Sequence, residues 1–150
     1  MKNYSALLVF AIALTCSTNS IASNGKEVNE KVIKSFKQTF PFAEKVDWQE
    51  FSDRYIVHFK DGDMLSVIDY DKEGNFLSSK RYYKEDNLPI NILCRIRKKY
   101  SDKKIFGVTE VATENSIDYY VKIEDDQNWF TVKLDASGGM EVIEKYKKQL

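Results

Sequence analysis

An eight-residue stretch, DYDKEGNF, has the residue types and spacing of a cation-binding loop. Carboxylates stand at alternate positions, Asp69, Asp71 and Glu73, and Gly74 follows where a calcium loop turns sharply. Such a loop also needs a bidentate Glu at its twelfth position, and here that position is Lys80. An Asp that accepts backbone N–H bonds and a Gly with positive φ are also what a tight turn requires. We therefore expect a hairpin turn here and no metal site.

An internal repeat supports the turn. A constant shift of 64 aligns residues 55–84 with residues 119–148, and seven of the thirty aligned positions are identical. The counterpart of the acidic stretch is KLDASGGM, which keeps Asp135 and Gly138 but loses the other two carboxylates. The residues that recur are those that a turn needs, and the residues that change are those that a cation needs.

Each copy of the repeat begins with an apolar stripe at helical spacing. The stripe is Val32, Phe36 and Phe40 in the first copy, and a shift of 60 places it at residues 92–100 in the second. Four β-rich segments follow in each copy, separated by turn residues. The predicted fold class is therefore α+β: a tandem repeat of a helix plus a four-stranded antiparallel meander, with the helices on one face of the sheets.

Residues 1–22 have the three-part pattern of a secretory signal peptide. One basic residue precedes an apolar run at 6–14, and the small residues Ser20 and Ala22 fit a cleavage site before Ser23. The run is too short to span a bilayer, which takes about 20 residues. We therefore expect an exported protein, periplasmic or secreted, with no membrane span.

The mature chain is predicted to be one domain, residues 23–150, made of two repeats at about 27–84 and 87–148. Units of about 60 residues are marginally stable alone, so the two repeats are expected to share a core. A monomer is expected.

Two cysteines bear on the compartment and on stability. Cys16 closely follows the apolar run, where a lipoprotein signal has its lipidated Cys, so lipid anchoring is an alternative. Ala13 and Thr15 differ from the residues that the lipoprotein pattern prefers. If Cys16 leaves with the signal peptide, Cys94 is the only thiol, and the core must hold the fold without an intramolecular disulfide.

The charge composition argues against two classes of partner. The chain has 23 Lys and Arg residues and 23 Asp and Glu residues. No net field therefore favours nucleic acid or an anionic membrane, and no nucleic-acid-binding motif is present.

Few residues could support catalysis. His58 is the only histidine, and nothing close to it in sequence supplies a catalytic or metal-binding set. Cys94 lies on the second predicted helix, with no other Cys or His nearby in sequence. We expect a protein that is not an enzyme and has no cofactor. The alternative is a small envelope enzyme or metal-binding protein that uses His58 with the acidic turns at 61–63 and 125–126.

The strand face opposite the predicted helices carries apolar and aromatic side chains with no element to cover them. Alternation places Tyr55, Val57 and Phe59 on one face and the residues between them on the other. The predicted partner-binding residues on the open face are Ile56, His58, Leu65, Val67, Tyr120 and Trp129. Aromatic anchors carry much of the energy of protein interfaces, so this face suits recognition. The alternative is burial of some of these side chains at the seam between repeats.

The motifs resemble those of the PepSY-like proteins, a β-lactamase-inhibitor-like family of bacterial envelopes. The motifs are F-P-x-A-x-x-V-x-W, Y-x-V-x-F and D-x-x-G, here Phe40, Pro41, Ala43, Val46, Trp48, Tyr55, Val57, Phe59, Asp71 and Gly74. The resemblance covers essentially the whole mature chain and implies a small, non-catalytic periplasmic protein. Related modules bind or inhibit hydrolases, and β-lactamase inhibitory proteins grip an enzyme with a concave sheet.

The predicted function is thus a non-catalytic exported module that binds or inhibits a protein or peptide through an open sheet face. The partner is expected to be an envelope protein or peptide, and the resemblance points to a hydrolase.

Overall fold

The structure, a computed structural model, describes residues 28–149. The predicted signal peptide and Cys16 lie outside the described residues. Two α-helices, a short 3-10 helix at Glu85–Asn87 and eight strands follow one another along the chain. Their bounds are α1 Glu30–Thr39, β1 Glu44–Glu50, β2 Arg54–Asp61, β3 Met64–Asp71, β4 Phe76–Tyr83, α2 Ile90–Lys99, β5 Lys104–Thr113, β6 Ile117–Glu124, β7 Asn128–Asp135 and β8 Met140–Lys147.

The predicted fold class, an α+β tandem of helix-plus-meander units, is wrong. The eight strands form one continuous antiparallel sheet in the order β1 to β8, and only two ten-residue α-helices accompany it within residues 28–149. The expected boundary between two sheets does not exist, because β4 pairs with β5 from Ser78–Thr113 to Tyr83–Val108. Pairing satisfies backbone groups that two separate meanders would leave open at their edges.

Each helix forms where its sequence supplies an apolar stripe and a defined start. The Asn29 side chain accepts the Lys31 backbone N–H at 2.9 Å, which caps α1, and α1 ends before Pro41. The apolar positions Val32 and Phe36 are buried. In α2, which follows Pro89, Ile92 and Ile96 are the buried positions.

The core lies on one face of the sheet, the face that both helices cover. One cluster packs Val32 and Phe36 of α1 against β2 and β3, around the fully buried Val57. The other packs Ile92 and Ile96 of α2 against strands β5 to β7. Because side chains alternate along a strand, the residues between these buried positions point to the opposite face, which carries no helix of the described chain.

A buried polar network lies where β4 meets β5. The Glu110 side chain is on the helix-covered face and the residue is only 4% exposed. Its carboxylate accepts hydrogen bonds from Arg81, with Nε at 3.0 Å, and from the Tyr83 hydroxyl at 2.7 Å. A carboxylate in this environment depends on its donors, because a buried charge without partners is costly.

We expect Glu110→Leu to lower the free energy of unfolding by about 1–3 kcal/mol, because the buried Tyr83 hydroxyl and the Arg81 guanidinium lose their acceptor. The matched control is Glu141→Leu, at an exposed position of β8, which should change stability by about 0.5 kcal/mol or less. Denaturant unfolding of both variants measures the difference. Equal effects would show that the network contributes nothing specific to the fold.

The surroundings of Tyr83 in this network predict how the stability of the protein changes at alkaline pH. Burial, and then the hydrogen bond to Glu110, raise the pKa of Tyr83 well above its usual value of 10.0. The folded state therefore keeps the phenol protonated where the unfolded chain loses the proton. The stability that depends on this proton is complete below pH 10 and declines as the pH rises above 10.

Tyr83→Phe should make stability fall less steeply with pH above 10 than it does in the unmodified protein. Unfolding midpoints in denaturant between pH 8 and about 11 measure the slope. A Tyr83→Phe slope identical to that of the unmodified protein would contradict the assignment.

Candidate functional site

The six residues predicted to bind a partner all lie on the helix-free face, which we call the open face. Ile56 and His58 are on β2, Leu65 and Val67 are on β3, and Tyr120 and Trp129 are on β6 and β7. Their neighbours in sequence, such as Val57 and Val121, are buried beneath the helices. Of the six, Leu65 is exposed and the other five are half-buried by their neighbours on the sheet.

The structure does not bring the six residues into one contiguous patch. His58 lies directly opposite Val67, so the residues of β2 and β3 are neighbours. Tyr120 and Trp129 are separated from them by β4 and β5. The open face therefore has two groups of predicted residues, one at each side of the central strands.

A depression of about 540 Å³ on the open face connects the two groups. Leu65 from the first group and Tyr120 from the second both line it, with Tyr82 between them. Charged side chains of both signs complete the lining: Asp63, Lys84, Lys122 and Glu144. The lining thus combines apolar and aromatic side chains with charged ones, as protein recognition sites do.

An aromatic pair beside the depression includes a residue that sequence reasoning missed. Phe106 and Trp129 meet edge to face, with ring centroids 5.0 Å apart and planes at 84°. Lys122 Nζ lies 5.0 Å from the centroid of the Trp129 ring, and Lys84 Nζ lies 5.1 Å from that of Phe106. Cations at such distances are attracted to the ring faces.

Phe106 reaches the open face because β5 is irregular at that point. The register of β5 against β6 shifts between Ile105 and Gly107, so Phe106 is an extra residue in a bulge. The available signal in the sequence is Gly107, because a glycine inside a strand often marks a bulge. Simple alternation counted back from Val108 would place Phe106 under the helices.

The acidic stretch that resembles a calcium loop is a turn held by its own carboxylate. Asp71 accepts the backbone N–H of Glu73 at 3.0 Å and that of Asn75 at 2.8 Å, and the Asn75 side-chain amide at 2.7 Å. The side-chain bond from Asn75, followed by the backbone bonds, lowers the pKa of Asp71. Asp135 holds the matching turn between β7 and β8 in the same way.

The residues of the alternative function, His58 and the acidic turns, do not form a metal-binding set. Within residues 28–149 there is no group of three or more His, Cys, Asp or Glu side chains that could hold a metal ion. Asp125 instead accepts bonds from Lys103 at 2.9 Å and from the backbone N–H of Asn128 at 2.7 Å. The bond from Lys103 is the main cause that lowers the pKa of Asp125. Cys94 is exposed on α2.

Three solved structures are similar to this fold. A BLIP-like protein of Bacteroides fragilis (BLIP stands for β-lactamase inhibitory protein) is 16% identical, with a TM-score of 0.58 over 83% of this chain and 89% of that one. A DUF2874 family protein of Bacteroides ovatus is 16% identical, with a TM-score of 0.57 over 82% and 89%. A candidate periplasmic protein of Bacteroides eggerthii is 14% identical, with a TM-score of 0.56 over 81% and 90%.

At these identities the likeness shows a shared BLIP-like fold, and the PepSY-like family name stays a prediction. No family model and no curated protein matches the sequence. Neither α-helix in residues 28–149 is long and apolar enough to cross a membrane.

We expect Gly74→Val to destabilise the protein by about 1–3 kcal/mol and Glu73→Ala to have little effect. Gly74 has φ +93°, which strains any β-branched residue, and an added Cβ would lie 3.3 Å from Cγ2 of Val32 in α1. Glu73 is exposed.

Gly62→Val is the matched control for Gly74→Val, because Gly62 also has a positive φ, +58°, but an added Cβ there meets nothing within 4 Å. Denaturant melts of the three variants separate backbone strain from the contact with α1. If Gly74→Val and Glu73→Ala had equal effects, Gly74 would have no special role in the turn.

Proposed function

We propose that the protein is a non-catalytic module of the cell envelope that recognises a protein or peptide through its open face. The observation that carries this proposal is the contrast between the two faces of one sheet. Both helices pack on one face, and no element of residues 28–149 covers the other. Sheet faces that carry large apolar side chains are normally buried by a partner element.

The side chains of the open face favour a protein partner over a small molecule. Leu65, Tyr82, Phe106 and Tyr146 are each more than 40% exposed on the open face, and the first three line a depression that is open to solvent. Small-molecule sites are usually enclosed clefts, whereas protein interfaces are broad surfaces with aromatic anchors. Trp129, Phe106 and Tyr120 are anchors of this kind, since they are rigid and partly held by neighbouring lysines.

Several carboxylates within residues 28–149 serve the fold. The carboxylates of Asp71, Asp125 and Asp135 each hold the backbone of a turn, and Glu110 holds the joint between β4 and β5. A binding role needs none of them to be free. This supports a non-catalytic function.

An inhibitory role and a hydrolase partner rest on analogy of fold. The name of the Bacteroides fragilis protein refers to β-lactamase inhibition, and a fold alone does not carry a function from one protein to another. A periplasmic or secreted location is supported by the predicted signal peptide and by the description of the Bacteroides eggerthii protein.

We expect Trp129→Ala and Tyr120→Ala each to weaken partner binding by about 1–3 kcal/mol while the protein stays folded. Both side chains are on the open face and outside the buried clusters, so their loss should leave the core unchanged. Phe42→Ala is the matched control, because Phe42 is an aromatic residue that is 82% exposed and lies before β1, away from the open face.

The experiment is a parallel capture from envelope extract with the unmodified protein and the three variants as bait. A protein retained by the unmodified bait and by Phe42→Ala, but lost with Trp129→Ala and Tyr120→Ala, supports the open face. Thermal unfolding of each variant checks that it is folded. If both open-face variants unfold, these side chains belong to the core and the binding surface lies elsewhere. Substrate turnover that disappears in His58→Ala would overturn the non-catalytic function.

A further inference from the structure

Within residues 28–149 the sheet has two free edges, one acidic and one with charges of both signs. Strands β1 and β8 end the strand order, so each has one side without a neighbour in the described chain. Such edges carry unpaired backbone N–H and C=O groups that can pair with another strand. β1 carries Glu44, Asp47 and Glu50 with one basic residue, Lys45, and β8 carries Glu141 and Glu144 before Lys145 and Lys147 at its C-terminal end.

Glu50 on β1 occupies the position that Glu110 occupies on β5. A sequence shift of 60 relates the two residues, and the strand registers agree with it. Glu110 lies opposite Tyr119 on β6, and Glu50 lies opposite Tyr55 on β2, which is the residue that matches Tyr119. Both carboxylates therefore lie on the helix-covered face next to a buried tyrosine.

The two carboxylates differ in what lies on their other side. Glu110 has β4 as its outer neighbour, which supplies Arg81 and Tyr83 as donors. Glu50 has no outer strand: its Oε1 accepts Lys72 Nζ at 2.9 Å, but its Oε2 is buried and has no hydrogen-bond partner in residues 28–149. A buried acceptor without a donor is costly. Glu50 on β1 therefore lacks the hydrogen-bond donors that β4 supplies to Glu110 on β5.

The apolar flank of β1 is uncovered as well. A groove of about 850 Å³ runs between α1 and this edge, lined by Ile33, Phe36, Phe40, Val46 and Trp48. At the matching place beside α2, Tyr83 of β4 is part of the buried cluster. The edge of β1 thus lacks both a donor and an apolar neighbour within the described chain.

Strand β8 matches β4 and carries the charges that β1 needs. The shift of 64 relates Arg81 to Lys145 and Lys84 to Lys148. If β8 of one molecule pairs with β1 of another in the register that β4 has with β5, Lys145 faces Glu50. That ladder ends one residue before Lys148, which would come next to Asp47 and whose ammonium already bonds Glu124 at 2.6 Å.

The faces of the sheet agree with this register. Glu50 and Lys145 lie on the helix-covered face, because Glu50 is opposite Tyr55 and Lys145 is opposite Phe130. Asp47 lies opposite His58 on the open face, where Lys148 contacts Trp129. Opposite charges that face each other across paired strands stabilise the pair.

We propose that β8 of one copy of this chain adds to β1 of a second copy and continues the sheet from one molecule to the next. The contact is head to tail, so it produces a ring or an open filament rather than a symmetric dimer. This association differs from the monomer that the sequence predicts. It uses the edges of the sheet, and its central pair, Glu50 with Lys145, lies on the helix-covered face.

The test measures association of the purified protein by sedimentation equilibrium over a range of concentrations. Lys145→Glu and Glu50→Lys should each lower the association constant roughly tenfold, because each turns an attractive pair into a repulsive one. Lys34→Glu, on the exposed side of α1, has the same charge change as Lys145→Glu and should have no effect.

Mixing the two interface variants gives the sharpest result. Each variant repels itself, but β8 of the Lys145→Glu variant is complementary in charge to β1 of the Glu50→Lys variant. The Glu50→Lys variant keeps an unmodified β8, and the Lys145→Glu variant keeps an unmodified β1. These two strands are also complementary in charge. The mixture should therefore associate about as strongly as the unmodified protein. Asp47→Lys is a second β1 variant at an exposed position, for use if Glu50→Lys does not fold.

A protein that stays monomeric at all concentrations would overturn the proposal. So would association that is unchanged in Lys145→Glu, or that fails to return when the variants are mixed. Association lost in Trp129→Ala but retained in Lys145→Glu would place the contact on the open face instead.

Discussion

The pairing of β4 with β5 is the contact on which the rest of the structure depends. It joins the first four strands to the last four through a ladder from Ser78–Thr113 to Tyr83–Val108. Without it the chain would have four free strand edges and two small cores, each covered by one helix. With it, the sheet has one covered face and one open face along its whole width. The buried Glu110 with its two donors lies at this joint, so the joint also has a specific polar contact.

A continuous sheet with helices on one side separates the tasks of its two faces. The covered face supplies stability, through aliphatic and aromatic side chains packed beneath α1 and α2. The open face contributes less to the core: under the shift of 64, Leu65 and Trp129 differ there, whereas Tyr82 and Tyr146 are identical. The matched positions Val57 and Val121, which are fully buried, are identical. Because the covered face holds the core, the open face is left available for contact with another molecule.

Much of the local structure could be predicted from the sequence, because it depends on interactions a few residues apart. The stripe of Val32 and Phe36 predicts a helix with one buried face, and Asp71 with Gly74 predicts a turn. Alternation along β2 predicts which side chains face away from the helices, and the structure places all six candidate residues on that face. Their role in binding stays a proposal. The fold class was wrong because alternation shows the two faces of a strand but not which strand lies beside it.

By itself, the sequence determined the positions of the helices, the alternation of the strands and the turns held by an Asp and a Gly. These features follow from backbone geometry and from hydrogen bonds within a few residues. Only the tertiary structure decided that the strands form one sheet, that a bulge turns Phe106 toward Trp129, and that two matched glutamates have different surroundings. Glu110 and Glu50 hold equivalent places in the sequence, but only Glu110 has a strand of the described chain on its outer side. The physical reason is that pairing between strands depends on groups far apart in the chain, which no local pattern records.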